Sequence, residues 1–564
     1  MLTIAHTLGL FETTASILAI RGIDSPEVAE KFISPSINDL NSPFLMADMH
    51  VAVERIKRAI EKKEKILIHG DYDVDGTMAT VILKHCLMSI GASVGYYIPQ
   101  RLVDGCGMKE NCIDWARSEG YTLLISVDCG IRAHSVIDYA RLSGIDVIVT
   151  DHHPPEGDIP TAVAVLNPKR SDCFYPEKNL AGCGVAFKLA QALIEKYKPF
   201  NKNRKECEIG SIESLMKIAA IGTIADMVPL LGENRVIAKR GLVGLSSANN
   251  FGLKALLEVA GISGRSLNCN DIGFKLAPRI NAVGRMGGAS AAVELFTAAD
   301  PKIATKLAQE LNEQNFVRQK TEAEIIGEVM ERLEKDPSVF ESPVIVLAAE
   351  GWHRGVIGIA ASKIVEKIHK PAIVISIEGN IGYGSGRSVR GFSLLDGLNN
   401  CRELFERYGG HSQAAGLTIK ADLIDSLKES LRKFATEKLK ENQQQDFTPS
   451  LDIDTELSFA EINQDLIKEI SSLEPFGVGN PYPLFLARGV KIVDGPKLFK
   501  GKHLKFALSH RGHVLDAVWW GAVTEQKFSS RSEELDLVFS LGENYWSPSQ
   551  IQISIKDMKV GVTK

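Results

Sequence analysis

The chain has 564 residues, of which 45% are hydrophobic and 24% are charged, as in an ordinary globular protein. At about 100–200 residues per domain, this length predicts about three to five domains. The 65 basic and 70 acidic residues give a net charge of −5. This balance excludes a uniformly basic, histone-like DNA binder, but it allows a nucleic-acid enzyme with a local basic groove or bound metal ions.

Hydropathy and cysteine usage bear on the cellular compartment. No run of about 18 apolar residues is present, so we expect no membrane span. The N-terminal segment lacks a basic start and carries Glu12, unlike a signal peptide. The nine cysteines are scattered without a CxxC pair, which fits neither a disulfide framework nor a zinc ribbon. The sequence therefore predicts a cytoplasmic protein.

Short apolar runs alternate with amphipathic stretches in the first half of the chain, after a helical segment at the N-terminus. The predicted strands are 65–71, 94–99, 122–128, 145–151 and 162–168, with a helix at 77–90 and further helices between most strands. This alternation indicates a parallel sheet covered on both faces. Ligands gather beyond the carboxyl ends of such strands, and three of the runs end in Asp71, Asp128 and Asp151.

The second half begins with the longest helical pattern of the chain, at 301–336. Strands at 343–349 and 371–377 follow, with helices near 357–368 and 422–440, and a polar linker lies at 441–450. Short strand-like runs then predict a small β-barrel. The predicted fold class is a multi-domain α/β protein. Its parts are a helical lead-in (1–48), a parallel-sheet domain (49–300), a connecting helix (301–338), a second α/β domain (339–440) and the barrel (451–564).

The motif HGDYDVDGT at 69–77 carries the strongest chemical signal. It places His69, Asp71, Asp73 and Asp75 just after a predicted buried strand. If the segment stays extended, the three aspartates share one side. Clustered carboxylates repel one another unless cations neutralise them, and oxygen ligands with some imidazole suit Mg²⁺ or Mn²⁺. An acidic loop that turns at Asp75 and Gly76 into a helix is the alternative.

Three further motifs could complete such a site. SVDCG places Asp128 at a strand end, where a lone aspartate is more often a helix cap. VTDHHP holds the adjacent pair His152 and His153, which could equally be a solvated loop pair. AAIGTIADMVPL contains Asp226 as the only charge in an apolar stretch, where a carboxylate needs a strong partner such as a metal.

Together these motifs predict a centre of two divalent ions, Mn²⁺ or Mg²⁺, balanced by four aspartates. Such a centre activates water and holds the oxygens of an in-line displacement at phosphorus. Phosphoester hydrolysis is the reaction class that follows. The candidate ligands are His69, Asp73, Asp75, Asp128, His152 and Asp226.

In order and spacing, HGDYDVDG, VDCG, TDHH and IADMVPL resemble the four motifs of the DHH phosphoesterases. That superfamily includes manganese pyrophosphatases, small-nucleotide phosphodiesterases and the RecJ exonucleases. The segments YIPQRLVDG, APRINAVGRMG, GYGSGRSVRGFSL with GGHSQAAG, and LEPFGVGNPYPLF resemble RecJ specifically. One departure is Cys106, where RecJ sequences commonly have tyrosine. The resemblance implies a DHHA1-type second domain and an oligonucleotide-binding barrel.

The resemblance also implies roles for individual residues. His69 and Asp73 would bind one ion, Asp75, His152 and Asp226 the other, and Asp128 would bridge them. His153 would face the scissile phosphate, and Asp71 and Asp151 would orient the ligands. The residues expected to take part in catalysis are Asp128, His153 and Asp71. The residues expected to contact DNA or its 5′-phosphate are Arg101, Arg279, Arg285, Ser385, Arg387 and His411.

The most basic stretch lies at 491–513, where five lysines and Arg511 face one acid, Asp494. The neighbouring aromatic residues are Phe499, Phe506, Trp519 and Trp520. Such a surface could bind single-stranded nucleic acid, with aromatic rings stacked on bases. A hairpin with solvated lysines and core aromatics explains the same pattern equally well.

The function implied by the resemblance is a single-strand-specific 5′→3′ DNA exonuclease of repair and recombination that releases 5′-mononucleotides. One alternative is a small-nucleotide phosphodiesterase, which would not need the barrel. Another is a non-catalytic DNA-binding relative, which would be expected to lose metal ligands, whereas all six are present. The expected partners are single-stranded DNA, a single-strand-binding protein and a helicase, and we expect a monomer without membrane contact.

Overall fold

The structure is a computed structural model that describes residues 1–100, 107–197, 211–247, 249–441, 447, 449–522, 534–543 and 551–561. Its helices are α1 Leu2–Leu8, α2 Glu12–Ile20, α3 Pro26–Ile33, α4 Met49–Glu61, α5 Val74–Ser89, α6 Glu110–Ser118, α7 His134–Leu142, α8 Gly182–Lys196, α9 Ile212–Ala225, α10 Gly232–Leu242, α11 Phe251–Val259, α12 Cys269–Asp271, α13 Ala277–Met286, α14 Ser290–Thr297, α15 Pro301–Lys335, α16 Ile357–Ile368, α17 Leu394–Asn399, α18 Ile424–Glu441 and α19 Gln464–Ser472. Its strands are β1 Lys65–His69, β2 Ser93–Tyr97, β3 Tyr121–Val127, β4 Asp146–Thr150, β5 Ala164–Leu166, β6 Ile345–Glu350, β7 Ala372–Glu378, β8 Ile381–Arg387, β9 Phe405–His411, β10 Ala414–Lys420, β11 Thr455–Glu456, β12 Phe485–Phe499, β13 His503–His510, β14 His513–Trp519, β15 Leu535–Glu543 and β16 Ile551–Val560. Among these residues no helix is long and apolar enough to cross a membrane.

The first sheet is parallel throughout, in the order β2-β1-β3-β4-β5. Successive side chains of a strand point to opposite faces, so a sheet covered on both faces needs continuous apolar runs. In β1, Ile66 and Ile68 join the core under α5, α8 and α9, while Leu67 joins the core under α6 and α7. The predicted parallel sheet with helices on both faces is confirmed.

Helix α15 links the first sheet domain to the second. Its 35 residues span about 50 Å at 1.5 Å per residue. Leu311 packs into the core of the first domain, and Val329 and Leu333 pack into the core beneath α16. The N-terminal part of the apolar stripe of α15 therefore packs on the first domain and the C-terminal part on the second. The helix connects the two domains by these contacts as well as covalently.

The second sheet has the order β6-β7-β8-β10-β9, in which only β6 and β7 pair in parallel. Helix α16 covers one face, and α17 and α18 cover the other. The segment GYGSGRS forms strand β8, and GGHSQAAG forms the turn of the hairpin β9–β10.

The C-terminal strands close into a barrel in the order β12-β13-β14-β16-β15, because β15 also pairs with β12. This confirms the predicted barrel. Its core continues into the N-terminal helices, where Ile17, Leu18 and Phe32 cluster with Phe485 and Phe539. The helical lead-in therefore packs on the barrel at the opposite end of the sequence, a contact that no sequence pattern predicts.

Candidate active site

Four chain segments meet at the carboxyl edge of the first sheet. The loop after β1 leads into α5, with Asp73 as its N-cap and Asp75 in its first turn. Asp128 follows β3, and Asp151, His152 and His153 follow β4. Asp226 is the C-terminal cap of α9. Parallel strands end at the same edge of a sheet, which is why motifs far apart in sequence converge here.

The candidate ligand atoms form three overlapping groups, within each of which they lie no more than 4.8 Å apart. The groups are Asp75 with His152 and Asp226, Asp71 with Asp73 and Asp128, and Asp128 with His152 and His153. Asp128 and His152 each belong to two of them, and Asp128 is the residue that links the group of Asp71 and Asp73 to the histidines, as a bridging ligand would.

Asp75 is held by the N-terminus of α8. The backbone N–H of Gly182 donates to its Oδ2 at 2.6 Å, and that of Cys183 to its Oδ1 at 2.8 Å. Burial raises the pKa of Asp75, and the nearby His152 opposes this shift. The helix terminus thus fixes the direction of the carboxylate and favours its charged form.

Asp128 is 3% exposed and adopts φ 59°, a left-handed conformation that costs about 1–2 kcal/mol for most residues. Its Oδ1 lies 3.2 Å from Nε2 of His152. Burial raises the pKa of Asp128 well above its usual range, and the charge of Asp75 raises it further. The fold therefore keeps this carboxylate at the centre of the site although burial and the neighbouring charges disfavour its ionised form.

Asp226 closes the site from the side away from the sheet. Its Oδ2 lies 3.8 Å from Nε2 of His152. Burial, followed by the charge of Asp75, raises the pKa of Asp226 to about 9. Lys169 opposes this shift, while burial lowers the pKa of Lys169 itself. Lys169 is a half-buried cation near the centre that the motif analysis missed.

Asp151 organises the two histidines. Its Oδ1 accepts the backbone N–H of His152 at 2.7 Å and lies 2.8 Å from Nδ1 of His153. This bond raises the pKa of His153, so the imidazolium form is favoured. Burial lowers the pKa of His152, which keeps that ring neutral as a metal ligand must be.

One expectation about the first motif differs from the structure, and another is not tested by it. Asp71, Asp73 and Asp75 do not share one side, because the chain turns into α5 at Val74 and places Asp75 in a different group from the other two. Asp71, expected to orient ligands, lies with Asp73 and Asp128, whereas His69 is in none of the three groups. Nδ1 of His69 instead lies 3.6 Å from Sγ of Cys129. Ligation by His69 stays a prediction.

The donor set fits divalent cations. Carboxylate oxygens and a neutral imidazole suit Mn²⁺ and Mg²⁺. Nδ1 of His152 is buried and has no hydrogen-bond partner among the described residues. Burial, and then the charges of neighbouring carboxylates, raise the pKa values of Asp75, Asp128 and Asp226, and a bound divalent cation would favour their charged forms.

Two positions that support the site were not among the predicted residues. A Cβ on Gly182 would lie 2.4 Å from Oδ1 of Asp128, so only glycine allows α8 to approach this closely. Asn281 on α13 accepts the backbone N–H of Val74 at 3.1 Å and so ties the first motif to the region before α15. A glycine at the start of an apolar helix and a polar residue in APRINAVGRMG were the available signals.

Helix α13 also connects the centre to the second domain. The backbone of Gly284 lies against Tyr72, and Arg285 donates to the carbonyl of Gly355 at 3.0 Å. Three residues later, Gly358 at the start of α16 faces Ser385 and Arg387 on β8. The Arg387 guanidinium lies 3.2 Å from Oγ of Ser385. The structure thus brings Arg285, Ser385 and Arg387 near one interdomain corner.

The structure describes two of the three other residues predicted to contact DNA. Arg279 donates to Asn312, at 3.0 Å, and to the carbonyl of Lys275, at 2.6 Å, so much of its guanidinium holds α13 against α15. His411 is exposed at the turn between β9 and β10. Arg101 and Cys106 lie outside the described residues. DNA contacts by all of these residues stay predictions.

The aromatic residues of the barrel divide into core and surface. Phe506 and Trp519 are 4% and 8% exposed and belong to the barrel core, so for these two rings the alternative of core aromatics holds. Trp520 is 48% exposed and forms a surface cluster with Phe499 and His503. Nζ of Lys505 lies 4.4 Å from the Phe499 ring centre. We call Phe499, His503, Lys505 and Trp520 the aromatic cluster.

Three family models match separate parts of the chain. They are the N-terminal domain of the DHH family at residues 65–223, the DHHA1 domain at 341–439 and the RecJ OB domain at 453–557. The single-stranded-DNA-specific exonuclease RecJ of Bacillus subtilis is 38% identical over 99% of this chain and 69% of that protein. RecJ of Escherichia coli is 32% identical over 94% of this chain and 92% of that protein.

Solved structures give the same result. The crystal structure of Thermus thermophilus RecJ in complex with Mn²⁺ matches 100% of this chain and 78% of its own, with a TM-score of 0.84 and 28% identity. A structure of exonuclease RecJ bound to manganese matches 70% of this chain and 97% of its own, with a TM-score of 0.60 and 32% identity. The chain belongs to the RecJ family of single-stranded-DNA-specific exonucleases.

Proposed function

We propose that this protein is a metal-dependent exonuclease that degrades single-stranded DNA from the 5′ end and releases 5′-mononucleotides. The observation that carries the proposal is the convergence of Asp75, Asp128, His152 and Asp226 at one sheet edge in a chain of the RecJ family. As the family resemblance implies, the enzyme would act in DNA repair and recombination. The direction of cleavage rests on that resemblance.

The residues that would hold the ions follow from the groups described above. One ion would be bound by Asp75, His152 and Asp226, the other by Asp73 with Asp71 or His69, and Asp128 would contact both. When bound, two such ions lower the pKa of a bound water and stabilise the charge of the phosphodiester. His153, oriented by Asp151, which raises its pKa, would donate a hydrogen bond to a non-bridging oxygen of the scissile phosphate.

The interdomain corner supports cleavage one nucleotide at a time. A 5′-terminal phosphate held by Ser385 and Arg387 would sit at the start of α16, where backbone N–H groups and the helix dipole favour an anion. Contacts through Arg285 and Gly284 connect that corner to the loop carrying Asp71 and Asp73. The 5′ end and the scissile phosphate would therefore be held by one continuous set of contacts.

The aromatic cluster supports a role for the barrel in binding single strands. Exposed rings beside a lysine can stack on bases while the cation contacts the backbone. The net charge of −5 is no obstacle, because the attraction is local and should weaken as salt increases. By family, a single-strand-binding protein and a helicase would be its partners. We further propose that the enzyme is a cytoplasmic monomer.

A small-nucleotide phosphodiesterase remains the rival proposal for the same metal centre. Deleting the barrel is a poor test, because Ile17, Leu18 and Phe32 would lose the core that they share with it. Point variants of the aromatic cluster avoid this problem. If the protein were a dinucleotide hydrolase, Trp520→Ala would change the hydrolysis of neither dinucleotides nor long strands. In a single-strand exonuclease, the same variant should slow the hydrolysis of long strands.

The direct test is digestion of end-labelled single-stranded and duplex DNA, with and without Mn²⁺, with Asp128→Ala as the control. We expect single strands to yield labelled mononucleotide from the 5′ end only, in the presence of the metal. Asp128→Ala should abolish cleavage while the protein stays folded, because Asp128 lies in two of the three ligand groups. Cleavage from the 3′ end, or full turnover by the variant in Mn²⁺, would contradict the proposal.

A further inference from the structure

Asp226 differs from the other candidate ligands in how the fold holds it. The others lie at the end of a strand of the first sheet or within a few residues after one, whereas Asp226 ends helix α9. The next residue, Met227, has φ 59° and is 71% exposed, and the chain then runs to α10 at Gly232. We call residues 226–231 the ligand loop. Its position depends on what packs against it from outside the sheet.

The segment that packs against the ligand loop comes from the other end of the chain. Residues 473–481, between α19 and the barrel, are called here the barrel lead. The backbone N–H of Leu230 donates to the carbonyl of Val478 at 2.8 Å. A Cβ on Gly479 would lie 3.1 Å from Cδ1 of Leu231 and 3.3 Å from Cβ of Pro229. The two segments are therefore in close contact over several consecutive residues.

Helix α10 strengthens this contact immediately after the ligand loop. The buried guanidinium of Arg235 donates to the carbonyls of Leu473, at 2.9 Å, and Glu474, at 3.0 Å. It also donates to the carbonyl of Phe32, at 2.6 Å, in the N-terminal helices. One side chain thus joins the ligand loop's helix, the barrel lead and the N-terminal helices.

The shape of the barrel lead is fixed by Asn480, which is fully buried. Its Nδ2 donates to the carbonyls of Leu473, at 2.9 Å, and Pro475, at 2.8 Å. Its Oδ1 accepts a hydrogen bond from Arg21. Removing this amide would leave the barrel lead without the bonds that hold its two ends together.

From these contacts we infer that the barrel lead is a positioning segment for Asp226, so that docking of the barrel sets the affinity of the centre for a divalent ion. The inference rests on the proposed metal-dependent function. Coordination tolerates shifts of only about 0.2 Å. Loss of groups that orient metal ligands typically lowers metal affinity by about 10–100-fold. Asn480 would act through the ligand loop and is a positioning residue.

The test measures Mn²⁺ binding without DNA, by the electron paramagnetic resonance signal of free Mn²⁺, in folded wild-type and variant proteins. Asn480→Ala removes the bonds that shape the barrel lead. The matched control is Asn463→Ala, which removes the N-cap of α19 in the same part of the chain without touching the ligand loop. Leu231→Ala perturbs the other side of the contact at a residue that is 37% exposed, so it provides a second test should Asn480→Ala fail to fold.

We expect wild type to bind two Mn²⁺ ions and Asn480→Ala to bind one of them about 10-fold more weakly, with Asn463→Ala within about two-fold of wild type. Leu231→Ala should weaken the same ion, identified as the one lost in Asp226→Asn. Wild-type affinity in folded Asn480→Ala or Leu231→Ala would overturn the inference, as would equal weakening by Asn463→Ala. Absence of Mn²⁺ binding by wild type would instead overturn the proposed function.

Discussion

Replacing Asp226 by asparagine should stabilise the metal-free protein while abolishing its affinity for one ion. Burial and the charge of Asp75 raise the pKa of Asp226 from 3.8 to about 9. Below pH 4 the carboxyl is protonated in both the folded and the unfolded protein, and no cost arises. As pH rises from about 4 to about 9, only the unfolded chain releases the proton, so the stability of the folded protein falls.

The size of this effect at pH 7 follows from the same values. Each pH unit above 3.8 costs about 1.36 kcal/mol, which gives about 4 kcal/mol at pH 7 and less than 2 kcal/mol at pH 5. The side chain is 25% exposed, so we expect Asp226→Asn to gain about 2–4 kcal/mol at pH 7.

Urea unfolding in EDTA at pH 5 and pH 7 measures the gain in unfolding free energy at each pH. In Mn²⁺ this advantage of the variant over wild type should shrink or change sign, because only wild type binds the full set of ions. The reasoning would be refuted by a variant that is no more stable than wild type at pH 7, or by a gain that does not change with pH.

Three further predictions concern the close approach of α8, the 5′ end and the barrel. Gly182→Ala should lower the rate of DNA cleavage by at least 10-fold, because its Cβ would lie 2.4 Å from Oδ1 of Asp128. The control Gly184→Ala, whose Cβ would lie 3.4 Å from Leu180, should retain activity. Equal cleavage rates for the two variants would contradict this expectation. Arg387→Ala should reduce the preference for 5′-phosphate over 5′-hydroxyl ends more than it slows cleavage, as measured on one oligonucleotide carrying either end. If wild type shows no such preference, Arg387 has no role in binding a 5′-phosphate. Trp520→Ala should weaken binding of oligothymidylate by about 1–3 kcal/mol in a fluorescence titration. The matched control is Trp115→Ala, at an exposed tryptophan on α6. Unchanged affinity in Trp520→Ala would exclude stacking of a base on Trp520.

The sheet edge could be predicted because periodicity and strand ends are local properties. Asp128 and His152 follow short apolar runs that alternate with helical stretches, a pattern typical of buried parallel strands, and such strands end at one edge of the sheet. The grouping of Asp71 with Asp73 and Asp128 could not be predicted in this way. It depends on the residue at which the chain leaves β1 and on Asp73 being the N-cap of α5. If α5 began one residue earlier or later, the aspartate side chains would point in different directions.

Contacts between distant parts of the chain were the least predictable. Trp519 and Trp520 are adjacent, yet Trp519 ends β14 in the barrel core, whereas Trp520 lies in the turn after the strand and is exposed. Composition alone could not assign their sides without knowing where β14 ends. The packing of Phe32 on Arg235, and of the barrel lead on the ligand loop, depends on tertiary contacts between residues more than 200 positions apart, which leave no periodic signal.

In the proposed enzyme, two divalent ions bind among the residues at the carboxyl edge of the first sheet and Asp226. Anomalous diffraction from crystals soaked in Mn²⁺ would locate these ions. We predict two peaks, both in contact with Asp128, with Asp75, His152 and Asp226 around one and Asp73 beside the other. A single peak that does not contact Asp128, or Asp226 lying beyond coordination distance of either ion, would rule out this two-ion centre.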